Sequence, residues 1–145
     1  MLNVALVALL TALQPSTSAQ AELTGQACTA RDIVGTWQLT TKSSIPGVAS
    51  VVKYITPTHF FVTRVGANDV VLSGHGGPYT LAGGTYTETL AQGFGAPIEQ
   101  LEKYRGVSVA FQCRLNGDVL HIVGELSGTK IDEQWKRVSG TSAPR

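Results

Sequence analysis

The chain has 145 residues, 43% of them hydrophobic and 14% charged, with a net charge of +1. One domain is the expectation for that length. The even charge balance, with no Lys/Arg cluster and no acidic or basic tail, leaves no electrostatic case for nucleic acid as a partner.

Val4 to Leu13 is an apolar run of export-signal length, too short to span a bilayer as a stable helix, so no stable membrane span is expected. Ala19-Gln20-Ala21 follows as an A-x-A cleavage pattern. Residues 1–21 are therefore read as a signal peptide cut after Ala21, which places the protein in the periplasm or outside the cell. The alternative is an N-terminal helix of the fold. Residues 22–32 form a lead segment, 33–138 the folded domain and 139–145 a flexible tail. In an exported chain two cysteines, Cys28 and Cys113, are expected to form a disulfide. Two buried free thiols are the alternative.

After Ala30 the pattern is nearly all β. Thr36–Thr41 alternates, and Val51–Thr56 and His59–Val65 are rich in β-branched and aromatic residues on either side of Pro57. Gly66 to Asp69 is a turn before Val70–Leu72. Tyr79–Leu81 and Thr85–Ala91 follow, and Val107–Leu115 alternates over nine positions. Asn116-Gly117-Asp118 is a hairpin turn, since Asn-Gly tolerates positive φ. Val119–Leu126 and Lys130–Val138 complete the series. About eight or nine short strands with turns at regular spacing predict an antiparallel sandwich or barrel. The exception is the stretch from Ala96 to Arg105. Pro97 suits a first helical turn, Ile98, Leu101 and Tyr104 are spaced for one face, and Glu99 can pair with Lys103. One short helix or lid is predicted near 97–105.

The glycines at 74, 76, 77, 83 and 84 raise the question of a phosphate-binding loop. Such a loop must run into a helix whose free N–H groups hold the anion. Here Ala82-Gly83-Gly84 runs into Thr85-Tyr86-Thr87-Glu88-Thr89, which alternates, and no Gly-Lys-Ser/Thr is present. Gly83-Gly84 is read as a hairpin turn, and Gly74 to Pro78 as a strand end with a bulge or kink.

Gly35-Thr36-Trp37 opens the first strand and Trp135-Lys136-Arg137 closes the last. Between them lie Thr58-His59-Phe60, Gly77 to Leu81, and Gly84-Thr85-Tyr86-Thr87-Glu88, before the terminal Glu133-Gln134-Trp135-Lys136-Arg137. In this order the motifs resemble a bacterial family of small lipocalin-like (calycin-type) domains of uncharacterised function. The resemblance spans roughly residues 33–138. It implies an up-and-down antiparallel β-barrel of about eight to ten strands, with structural roles for Gly35, Trp37 and Arg137, the guanidinium packing over the indole. It implies little about activity, because fold alone does not fix function.

Strand alternation selects the candidate pocket residues. Tyr86 and Glu88 share a face, as do His59 and Phe61, and as do Ile131, Glu133, Trp135 and Arg137. A pocket is expected from Tyr54, His59, Phe61, His75, Tyr79, Tyr86, Glu88, Phe111 and Trp135. The first function expected is binding of a small hydrophobic organic molecule inside the barrel. The alternative is a cofactor-independent isomerase, cyclase or lyase, with His59, Tyr86 and Glu88 as acid and base. The three histidines, His59, His75 and His121, lack a ligand spacing such as H-x-H or H-x3-H, so no metal is expected. No C-x-x-C-H, G-x-S-x-G or cofactor fingerprint occurs, so no cofactor is expected. The assembly expected is a monomer or a homodimer.

Overall fold

The computed structural model describes residues 23–41, 43, 45–95 and 102–138. The signal-peptide reading, the tail at 139–145 and most of the helix expected at 97–105 lie outside these residues. Of that helix, 102–103 have helical backbone, followed by a turn.

Ten strands form one antiparallel sheet. They are β1 (Gln26–Ala27), β2 (Gly35–Leu39), β3 (Ser50–Ile55), β4 (His59–Val65), β5 (Val71–Ala82), β6 (Thr85–Thr89), β7 (Gln92–Gly95), β8 (Ser108–Asn116), β9 (Val119–Leu126) and β10 (Thr129–Arg137). A four-residue helix, α1 (Ala30–Ile33), precedes β2. Eight strands run in the order β8-β6-β5-β4-β3-β2-β10-β9, and β9 pairs back onto β8. The sheet is thus a closed, up-and-down, all-β barrel. Closure removes the sheet edges that would otherwise invite pairing with other chains. β1 lies beside β8, and β7 beside β5.

The hairpins follow from turn chemistry. Ala82 pairs with Thr85, so Gly83 and Gly84 are the two central turn residues, both at positive φ (57° and 78°). Glycine adopts that backbone without steric cost, and it matches the twist of the flanking strands. The glycines at 74, 76 and 77 behave differently from the expected strand end. β5 is a single strand of 12 residues that runs straight through them. Its Tyr79–Ala82 half pairs with β6, and its Ser73–Gly76 half pairs with β7. Where the partner changes, a Cβ on Gly77 would collide with the Thr89 carbonyl oxygen. Glycine there lets the crossing chain approach, so the strand need not end.

One end of the barrel is closed. Thr29 caps α1, its hydroxyl accepting from the Asp32 N–H and donating to the Asp32 carboxylate at 2.6 Å. The helix drops Ile33 into the barrel, where it is fully buried beside Trp37, Cys113, Leu120 and Ile122. The Trp37 indole N–H donates to the Ile33 carbonyl at 2.8 Å. Arg137 lies over the Trp37 ring, 4.0 Å from its centre, and donates to the carbonyls of Val34 (3.0 Å) and Asp32 (2.6 Å). One guanidinium therefore ties the last strand to β2 and to the plug. Cys28 and Cys113 form a disulfide, joining the lead segment to β8 across a sequence separation of 85. Bridges of this kind persist in oxidising compartments.

Candidate ligand cavity

In a barrel, alternate residues of each strand face inward. At the closed end the inward residues are large and apolar, and they fill the interior. Toward the other end they leave a cavity of about 520 Å³. Its lining includes Thr41, Ser43, Ile45, Tyr104 and Val107.

The two halves of the cavity wall differ. β3 to β6 contribute Lys53, Arg64, Ser73, His75 and Glu88, together with Val51, Phe60 and Val62. Across the interior, β8, β9, β10 and β2 contribute Val109, Phe111, Leu126, Ile131, Trp135 and Leu39, with Glu133 as the exception. A mixed wall that carries most of the charged and polar groups thus faces a wall that is apolar apart from Glu133.

The floor is an ion pair. Lys53 Nζ donates to Glu88 Oε1 at 2.8 Å, with the two side chains 2% and 12% exposed. The ammonium is also surrounded by ring faces: Trp135 at 4.7 Å, Tyr86 at 5.7 Å and Phe60 at 5.9 Å from ring centres. Buried charge is tolerated only when paired, and the carboxylate and the three rings together do this. Nearby, the Trp135 indole N–H donates to the Glu133 carboxylate at 3.1 Å.

Tyr79 and Tyr86 lie among the packed core residues. Their rings are tilted at 5.1 Å, and the Tyr79 hydroxyl donates to the Thr56 carbonyl at 2.8 Å. The Tyr86 hydroxyl is buried and has no hydrogen-bond partner among the described residues. Burial first, and then the Glu88 charge, push the Tyr86 phenol far above its ordinary range, so it stays neutral. Burial alone raises Tyr79.

Arg64 and His75 form the second polar pair. Arg64 Nη1 lies 3.3 Å from His75 Nδ1. A guanidinium only donates, so Nδ1 accepts and the imidazole proton sits on Nε2. Burial, then Arg64 and Lys53, lower the His75 pKa to about 4, so the ring is neutral at physiological pH. Burial also lowers Arg64, and the Glu133 charge opposes that shift.

The cavity brings together His75, Glu88, Phe111 and Trp135, with Tyr86 packed against Phe111 and Tyr79 packed against Tyr86. It does not include Tyr54, His59 or Phe61. The reason is the period of the strands: Val51, Lys53 and Ile55 point in, so Tyr54 points out and is 43% exposed. Phe60, Val62 and Arg64 point in, so His59 and Phe61 point out. His59 is exposed, its Nδ1 2.9 Å from the Thr58 hydroxyl. Phe61 stacks on Phe94 outside the barrel at 6.2 Å. The acid–base group of His59, Tyr86 and Glu88 is therefore not assembled. His121 also points outward and pairs with Asp132 at 2.8 Å.

Three charged residues of the cavity are not among the candidates read from the sequence: Lys53, Arg64 and Glu133. A signal was available. Each is a charge at an inward position of an apolar alternation (Val51-x-Lys53-x-Ile55, Phe60-x-Val62-x-Arg64, Ile131-x-Glu133-x-Trp135). Charges in that setting occur in matched pairs or line a pocket.

Among the described residues, no three His, Cys, Asp or Glu side chains converge as a metal site, and no helix is long and apolar enough to cross a membrane. Compared with models of protein families and with curated proteins, the chain matches none.

Proposed function

We propose that the barrel binds a small, mostly apolar organic molecule in its cavity, and that it does so in the periplasm or outside the cell. One observation carries the binding reading: the barrel is filled and plugged at one end, yet at the other it keeps an open cavity of about 520 Å³. A chain selected only to be a stable barrel gains by filling such a space, since each lost contact weakens the core. The volume falls in the range of about 300–1,000 Å³ typical of small-molecule sites. We read the chain as lipocalin-like on its motifs, with Arg137 over Trp37 as the structural counterpart of that plan. The disulfide and the apolar run ending at Ala19-Gln20-Ala21 support the exported location.

Native mass spectrometry of the protein recovered from its own cells tests this reading. A chain starting at Glu22 and two mass units lighter than its reduced form is expected, carrying a small molecule that is lost on denaturation. A full-length chain would refute export. An unliganded barrel that also fails to take up any member of an apolar compound panel would refute the binding role.

A further inference from the structure

We infer that the ligand carries a carboxylate, held by Arg64 with His75 beside it, and that its apolar body lies against the β8–β10 wall. This rests on the binding function proposed above and names the class of molecule bound. The argument compares the two cations of the cavity. Lys53 is saturated: its ammonium has a carboxylate at 2.8 Å and three aromatic faces around it. Arg64 is not. Among the described residues no carboxylate lies within 4.0 Å of its guanidinium, and its one hydrogen bond is the 3.3 Å contact to His75. Glu133 is near enough to be felt electrostatically, but the Trp135 indole holds it.

A half-buried guanidinium that keeps four of its five donors without an acceptor among the described residues is a site for an anion. Its planar fork fits the two oxygens of a carboxylate. His75 cannot supply a competing charge, because it is neutral, and its Nε2 proton leaves it a donor. Opposite Arg64 stand Val109, Leu126, Ile131 and Leu39, with no donor or acceptor among their side chains; Glu133, the charged residue of that wall, is engaged by the Trp135 indole. A molecule with one carboxylate and an apolar body satisfies both walls at once.

The test is calorimetric titration of the purified, disulfide-bonded protein with matched pairs: decanoate against 1-decanol, and 2-naphthoate against 2-naphthylmethanol. In at least one pair the acid is expected to bind about ten- to a hundredfold more tightly, the range for a charge-assisted hydrogen-bonded pair. Arg64→Gln should remove that preference, so that acid and alcohol of each pair bind alike, and Arg64→Lys should keep part of it. Circular dichroism checks that each variant is folded. If acids and alcohols bind equally, the carboxylate inference fails while the binding barrel stands. If the acid preference survives Arg64→Gln, the assignment to Arg64 is wrong. If no probe of either kind binds, both readings fall together.

Discussion

The Lys53–Glu88 pair permits a quantitative test of what holds the cavity floor. At 2.8 Å and an effective dielectric of about 20, the attraction is about 6 kcal/mol. Burial to 2% and 12% exposure costs several kcal/mol per ion, so the net value of the pair is small. Removing one partner is a different matter. Glu88→Gln keeps the shape but leaves the ammonium without its counter-charge, a change that costs about 3–5 kcal/mol. The three rings around Lys53 return part of this, each by about 0.5–2 kcal/mol. We expect a loss of about 3 kcal/mol in urea denaturation, with a fall in Tm of about 10 °C. The double variant Lys53→Met/Glu88→Leu removes both charges and fills the same volume. It should unfold within about 1 kcal/mol of the parent protein, or be more stable. A Glu88→Gln protein within 1 kcal/mol of the parent would refute the dehydrated pair. A double variant worse than either single one would refute the claim that desolvation cancels attraction.

Other perturbations address the rest of the structure. The disulfide closes a loop with a sequence separation of 85, so Cys28→Ser/Cys113→Ser should lose about 4–5 kcal/mol by the chain-entropy account; unchanged urea midpoints with and without reductant would contradict it. Arg137→Lys should cost about 2–4 kcal/mol, because an ammonium cannot both stack on Trp37 and reach two carbonyls, and thermal denaturation reads this directly. His75 titrates near 4 when folded and about 6.5 when unfolded. The unfolded chain therefore binds more protons in that window, so stability is full above pH 6.5 and falls toward pH 4, by up to about 3 kcal/mol. His75→Gln should flatten that part of the pH–stability curve, and a curve identical to the parent's would show that His75 is not its source.

The barrel was legible because its two periodicities are local. Alternation in Val107–Leu115 and Lys130–Val138 and the turn at Gly83-Gly84 each specify a strand or hairpin without reference to distant residues. The expected break at Gly74 to Pro78 was wrong for a physical reason. Glycine in a strand has two readings, a stop or a close approach, and only the position of Thr89 decides between them. The four-residue β7 carries two glycines and no alternation, and nothing in its sequence marks it as a strand. It exists because β5 is long enough to offer a second partner.

The site was less legible, for a related reason. Alternation gives the period of a strand but not its phase, and one residue of phase exchanges the inside for the outside. His59 and Phe61 were assigned to the interior by their chemistry, yet Phe60 and Val62 claim the interior of the same strand and carry Arg64 with them. The phase was readable in β3, where Val51 and Ile55 flank Lys53 and a lysine among inward β-branched residues demands a partner. Glu88 meets that demand from β6, on the opposite side of two intervening strands. Pairing by charge across the interior is thus a stronger guide to this cavity than the reactivity of any one side chain. It also divides the barrel by task. The closed end holds the disulfide, the Arg137–Trp37 stack and the α1 plug, all with their polar groups satisfied. At the open end Arg64 has, among the described residues, only the 3.3 Å contact to His75, and it lines the unfilled space.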